Sequence, residues 1–357
     1  MNSHKVTRTA AGALSLLTLA GVAVTTADRA QARMNVHCAG GASARTGLGD
    51  AWSVGTAQVD PIASRGEKTS MHEHQFFGNI RLLNMDNPEL ANYNDMLGAD
   101  TTCNLSKDTA AYWAPTLKYI SGPRAGQYVP ILRYEMYYQS WNDKVNDPKK
   151  QTNPFPADLR MISGNAMAQT KADANINAVN FSCGNFSSKA ARNGFKFFTP
   201  RDADCSTAYT IPGGNPSQPQ VNLTAIVHFP TCWSGRLNDH QQLGNTADYS
   251  GDPMFASNQM AYTVKGKCPA GFGVKVPKAR FTWQWDYRGD GTDVAFSSDM
   301  MLADPANSGI NFHADFWNTW DQPTLRKAVN YCINTTQTEL ALHDTKAERQ
   351  LCGIPVP

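Results

Sequence analysis

Apolar and polar side chains alternate with a period of two in several short runs, the spacing of a β-strand rather than of a helix. In "VNLTAIVHFP", Val221, Leu223, Ala225, Val227 and Phe229 fall on one face. Asn222, Thr224 and His228 fall on the other, with Ile226 the exception. In "RFTWQWDY", Phe281, Trp283, Trp285 and Tyr287 alternate with Arg280, Thr282, Gln284 and Asp286. The run "YVPILRYEMYYQ" is apolar on both faces, which predicts a strand buried between layers. Turn-rich segments such as "SGPRAG", "IPGGNPSQPQ" and "YRGDGTD" punctuate these runs. Helical spacing is clear only after Asp321, a candidate N-cap. There Leu325, Ala328, Val329 and Cys332 follow i, i+3, i+4, i+7, with Pro323 in the first turn. A weaker helical pattern runs from Thr338 to Gln350. Together these elements predict an all-β or β-rich α+β fold, with antiparallel sheets packed as a sandwich and a short C-terminal helix.

The first 32 residues carry a different pattern. Lys5 and Arg8 precede an apolar run, Ala10–Val24, and Ala30-Gln31-Ala32 is an A-x-A cleavage signal, so residues 1–32 read as a signal peptide. The apolar run is shorter than the roughly 20 residues of a membrane span. No later run is long enough either, so the expected product is one secreted β-rich domain, residues 33–357, acting as a monomer. A formal net charge of +2, with no basic run, gives no electrostatic footprint for nucleic acid. All eight cysteines follow the leader, and an even count in an exported chain predicts four disulfides. Local closure favours Cys183 with Cys205 and Cys332 with Cys352. No C-x-x-C pair is present, which removes zinc-ribbon and thioredoxin-like chemistry.

Candidate chemistry begins at "SMHEHQFFGN". His72 and His74 point to one face of an extended segment, and an H-x-H pair is a recurrent half-site for zinc, copper or iron. In "NFHADFWNTWD", His313 and Asp315 share a face by the same rule, and His228 lies on the polar face of its strand. His240, beside Asp239, is a further loop candidate. A cleft where His72, His74, His313 and His228 meet around a cation or a substrate would use Asp315 as ligand, orienter or base. The competing structural account makes them satisfied histidines of a polar sheet face. Glu135, Asp286 and Asp315 sit on or beside strands as carboxylates for glycoside hydrolysis. Trp113, Trp141, Trp233, Trp317 and Trp320 lie near turns or polar motifs and are candidates for a sugar platform. "RGDGTD" reads as a turn rather than a calcium loop. No G-x-S-x-G, Walker or dinucleotide fingerprint occurs.

The ordered set "VDPIASRGEKTSMHEHQFFGN", "TTCNLSKDTAAYWAPTL", "DLRMISGNA", "HFPTCWSGRLND", "CPAGFGVKVPKARFTWQWD" and "FHADFWNTWD" resembles the secreted family called domain of unknown function nineteen-ninety-six. The resemblance runs from about Gln58 to Val329. Matching positions include His72, His74, Trp113, Pro115, Arg160, Cys232, Trp233, Trp285, Asp286, His313, Asp315 and Trp320. The resemblance implies export, in fungi and actinobacteria, and a cell-wall or polysaccharide setting, because some fungal members carry WSC-type carbohydrate-binding modules. It also implies two histidines where this chain has Ala256 and Gln259 within "FASNQMAY". That replacement points to a remodelled or inactive site and argues against a metal-storage role.

The resulting expectation is a secreted protein that cleaves cell-wall or extracellular polysaccharide as a hydrolase or lyase. His72, His74 and His313 position substrate or a divalent cation, and Asp315 or Asp286 acts as acid/base. Arg160 neutralises an anionic group, while Trp113, Trp233, Trp317 and His228 contact the glycan. The alternatives are a non-catalytic carbohydrate-binding or wall-associated protein and, third, a metal-binding protein using His72, His74 and His313. No cofactor beyond that cation is expected.

Overall fold

A computed structural model describes residues 33–39, 54–64, 69–141, 152–183, 197–206, 222–237, 255–257, 259–335 and 352. The alternating runs become strands of two five-stranded antiparallel sheets. The first has the order β1 (Arg33–Ala39), β6 (Ile131–Gln139), β14 (Lys278–Trp285), β9 (Leu223–His228) and β8 (Val179–Cys183). The second has the order β2 (Gly55–Ala57), β3 (His74–Gly78), β4 (Ala111–Pro115), β16 (His313–Trp317) and β7 (Arg160–Gly164). Smaller sheets pair β11 (Phe255–Ser257), β12 (Met260–Ala261), β10 (Cys232–Trp233) and β13 (Val274–Lys275), and separately β15 (Val294–Phe296) with β5 (Leu117–Tyr119).

One aromatic core joins the facing sides of the two large sheets. Met136, Tyr138, Phe281 and Trp283 of the first sheet and Phe77, Tyr112, Ala314 and Phe316 of the second belong to the same buried cluster. Tyr112 lies edge-on to Phe281 at 5.2 Å, and Phe281 reaches Phe316 at 6.1 Å. The strand expected to be buried on both faces is β6, where Tyr134 to Tyr138 are all buried. Its Glu135 faces away from this core and accepts from the Tyr137 hydroxyl at 2.7 Å.

The second sheet also buries its outer face. Phe76, Ala111, Trp113, Ile162 and Trp317 form a second cluster there with Ile62, Leu82, Ala91 and Met96 from covering segments. The C-terminal helix, Gln322–Ala328, begins as its pattern predicts: Asp321 caps it by accepting from the Thr324 N–H at 2.9 Å. It continues as a π turn, Val329–Ile333, that carries Cys332. All eight cysteines pair, as Cys38–Cys103, Cys183–Cys205, Cys232–Cys268 and Cys332–Cys352. Both expected local closures are among them. The leader, the Thr338–Gln350 pattern, Asp239 and His240 lie outside the described residues. Among those described, no helix is long and apolar enough to cross a membrane.

A buried acid marks one end of the core. Asp108 accepts from the Tyr112 hydroxyl at 2.7 Å and from the Ala110 N–H at 3.1 Å. Tyr112 also bonds the Tyr138 hydroxyl. Burial outweighs these hydrogen bonds and pushes the Asp108 carboxyl up to about 7. The native state therefore keeps this proton where the unfolded chain, ionising near pH 4, has lost it. The resulting stabilisation is present below pH 4 and is lost as pH rises to about 7. Urea unfolding at pH 4 to 7 should show the parent losing up to about 4 kcal/mol relative to Asp108→Asn. A pH-independent difference between the two would contradict a protonated Asp108.

Candidate metal centre

Strand register builds the site. The pairs Phe76↔Trp113 and Trp113↔Asp315 set one row across β3, β4 and β16 on the outer face. His74 pairs with Pro115 in the next row, and the same register carries His313 opposite Pro115 from the other side. Strands two apart are separated by roughly 9.6 Å. The two imidazoles nonetheless approach to a centroid separation of 5.7 Å. His72 sits just before β3, not within it, yet shares the face: its ring lies 4.3 Å from His74 and 5.0 Å from His313. Gly164, opposite His313 on β7, permits this approach. At φ +98°, a Cβ there would stand 2.6 Å from the Phe312 carbonyl oxygen and 2.9 Å from the His313 Cα.

Backbone carbonyls fix two of the imidazoles. His74 Nδ1 lies 3.0 Å from the Val59 carbonyl and His313 Nδ1 lies 2.9 Å from the Asn311 carbonyl. A carbonyl only accepts, so each Nδ1 carries the proton and each Nε2 presents a lone pair. His72 Nε2 is 3.2 Å from His313 Nε2. Ligand atoms of His72, His74 and His313 all lie within 4.8 Å of one another. Nitrogens around a tetrahedral zinc stand about 3.4 Å apart, so small ring rotations suffice to close on one ion.

Burial sets the charge state. It lowers His72 to about 3, reinforced by His313, and lowers His313 to about 4 against the opposing Asn311 carbonyl. Burial, then repulsion from His72 and His313, holds His74 well below the usual range. The three rings are neutral at physiological pH, as metal ligands must be. Asp315 is fully buried, and its Oδ2 stands 3.9 Å from His313 Nε2. Burial, then the neighbouring Asp60, raises its carboxyl well above the usual range, so the contact with neutral His313 is no ion pair. Neither Asp315 oxygen has a hydrogen-bond partner among the described residues, and the same holds for His74 Nε2 and His72 Nδ1. Buried polar atoms left this way cost free energy unless an ion or water completes them.

A strap, residues 59–63, closes the site. Asp60 accepts from the Ile62 and Ala63 N–H groups at 2.9 and 3.0 Å, forming a tight turn over the cluster. Burial pushes its own carboxyl up to about 6, against the hydrogen bonds of that turn and the charge of Arg160. Asp60 was hidden in the sequence: it belongs to no spaced pair, and only its burial beside Asp315 marks it.

Of the expected site residues, the fold brings together His72, His74, His313 and Asp315. The others stand elsewhere. Asp286 is exposed beyond the end of β14, and Glu135 faces away from the core on the other sheet, so the three carboxylates do not converge. Trp113, Trp317 and Trp320 are fully buried in packing and present no face to a polymer. Trp233 is half-buried, and its indole donates to the Arg236 carbonyl. His228 lies at the end of β9 in the first sheet, apart from the three imidazoles. Arg160 is buried and engaged within the fold. Its guanidinium donates to the Pro61 carbonyl at 2.8 Å and the Ala91 carbonyl at 3.2 Å, pairs with Asp158, and stacks on Trp317 at 3.9 Å. Gln259 is buried, with its carbonyl accepting from the Ser234 N–H, and Ala256 lies on β11. The three imidazoles assemble without a histidine at either position.

Arg160→Met should therefore destabilise the fold, by about 3–5 kcal/mol in chemical unfolding, because it strips the strap and Asp158 of a buried cationic donor. An unchanged unfolding midpoint would return Arg160 to the substrate side.

A family model described as Domain of unknown function (DUF1996) matches residues 60–320. No curated protein and no solved structure matches the chain.

Proposed function

The chain belongs to the DUF1996 family, and on that premise we propose that it is an extracellular metal-binding protein. His72, His74 and His313 hold one divalent first-row transition-metal ion, with Asp315 as the fourth donor. One observation carries this: three neutral imidazoles, two with lone pairs aimed by backbone carbonyls, converge within 4.8 Å. The donor set is nitrogen and carboxylate oxygen, since every cysteine is in a disulfide, and it suits zinc, iron or manganese rather than a thiolate-seeking ion. A bound cation also offsets the cost of burying Asp315 beside Asp60, because it favours the carboxylate form that burial alone opposes. The four disulfides support an oxidising, extracellular setting.

Cleavage of an extracellular polysaccharide at this ion is the second reading. Its support is the pair Asp60 and Asp315 beside the imidazoles, the residue types of metal-assisted hydrolysis. Against direct contact with a polymer stands the burial of all three histidines and of both carboxyls.

Elemental analysis of the purified protein should find one equivalent of metal per chain. The His72→Ala/His74→Ala variant should lose it, and Asp315→Asn should bind at least about tenfold more weakly. Chelation should lower the parent's melting temperature and leave the double variant unmoved. Metal-free protein, indifferent to added zinc, iron and manganese, would refute the centre.

A further inference from the structure

We propose a second site, a trough that binds an acidic oligosaccharide, formed where the ends of β9 and β14 meet the 174–177 loop. Its volume is about 740 Å3, within the range of small-ligand sites. The polar lining includes Gln139, Asn175, Asn177, His228, Thr231 and Lys278. Gln139 and Asn177 carry amides with donor and acceptor side by side, the pattern that pairs with neighbouring hydroxyls on a sugar ring, while the Asn175 side-chain oxygen accepts from the Asn177 N–H at 3.0 Å. Ile176, half-buried, adds apolar surface for the C–H face of that ring. Among the described residues no aspartate or glutamate lines the trough, whereas His228 and Lys278 are both basic. A polyhydroxylated ligand bearing carboxylates answers all three features, which makes a uronic-acid oligomer the fitting class.

The walls are held in advance of binding. Ser163 Oγ donates to the His228 carbonyl at 2.7 Å and bonds the Tyr262 hydroxyl at 2.8 Å. The His228 N–H donates to the Ala178 carbonyl at 2.7 Å, and the Ala178 and Val179 N–H groups both return to the Asn175 carbonyl. Lys278 leans over Trp141, its ammonium 5.7 Å from the ring centroid and donating to the Trp141 carbonyl at 3.5 Å. Such preorganisation lowers the ordering cost of binding a flexible sugar. The inference is independent of the metal centre, which uses none of these side chains.

Calorimetric titration of the full-length protein with trigalacturonate, cellotriose and inorganic phosphate tests it. Trigalacturonate should bind saturably at one per chain, at least about tenfold tighter than cellotriose or phosphate, and more weakly as salt rises. Lys278→Met with His228→Gln should cost about tenfold in affinity, and the exposed Asn177→Ala should weaken binding without touching either basic group. Equal binding of cellotriose, phosphate binding as tight as the trimer, undetected trimer binding, or full affinity in both folded variants would each overturn the proposal. If the double variant loses its native circular dichroism, Asn177→Ala alone decides.

Discussion

The register of β4 against its two neighbours decides what the outer face of the second sheet can do. A slip of one residue would turn His74, Trp113, Asp315 and Trp317 inward and push Phe77, Tyr112 and Phe316 outward. The inter-sheet core opposes that slip, because Tyr112 and Phe316 pack there against Phe281 and Tyr138 and the slip would put His74 and Asp315 in their place. The chemistry of the histidine face is thus specified from behind, by aromatic packing that never touches a ligand. Gly164 then admits the His313 backbone close to β7, where any side chain would collide with it.

Electrostatics make the same face demanding. Three imidazoles and two carboxyls share a low-dielectric volume with Arg160 as the nearby cation, and Arg160 is spent on Pro61, Ala91 and Asp158. Burial answers by shifting every member toward its neutral form, lowering the histidines and raising Asp315 well above its usual range and Asp60 to about 6. Neutralisation avoids the Born cost but leaves lone pairs without donors. A divalent cation satisfies both needs at once, accepting the lone pairs and restoring the carboxylate. The strap's hydrogen bonds to His74 and Arg160 then orient the ligands rather than merely cover them.

Period-two alternation was legible wherever one strand face differed from the other. It located β9 and β14 and placed His313 with Asp315 on one face, because those facts are local to five or six residues. Spacing also chose Cys183–Cys205 and Cys332–Cys352, since short loops close at low entropic cost. What alternation does not carry is which face will be covered. The outer face of the second sheet is sealed by residues 59–63 and 82–96, distant in sequence from β4, β7 and β16. Trp113, Trp317 and Arg160 therefore look like surface anchors in the sequence and are core in the fold. Asp60 escaped for the same reason, its neighbours being Trp113, Arg160 and Asp315 from three other strands.

Strand β7 links the two candidate sites through its own pleat. Ile162 and Gly164 face the outer cluster, where they border Asp315 and His313, while Ser163 points the other way and grips His228 and Tyr262 at the trough. Gly164 is the tight point of that strand: at φ +98° a Cβ there would meet the Phe312 carbonyl and the His313 Cα, so no side chain fits. The pleat of one five-residue strand therefore sets the histidine face on one side and a wall of the trough on the other, without a hinge between them.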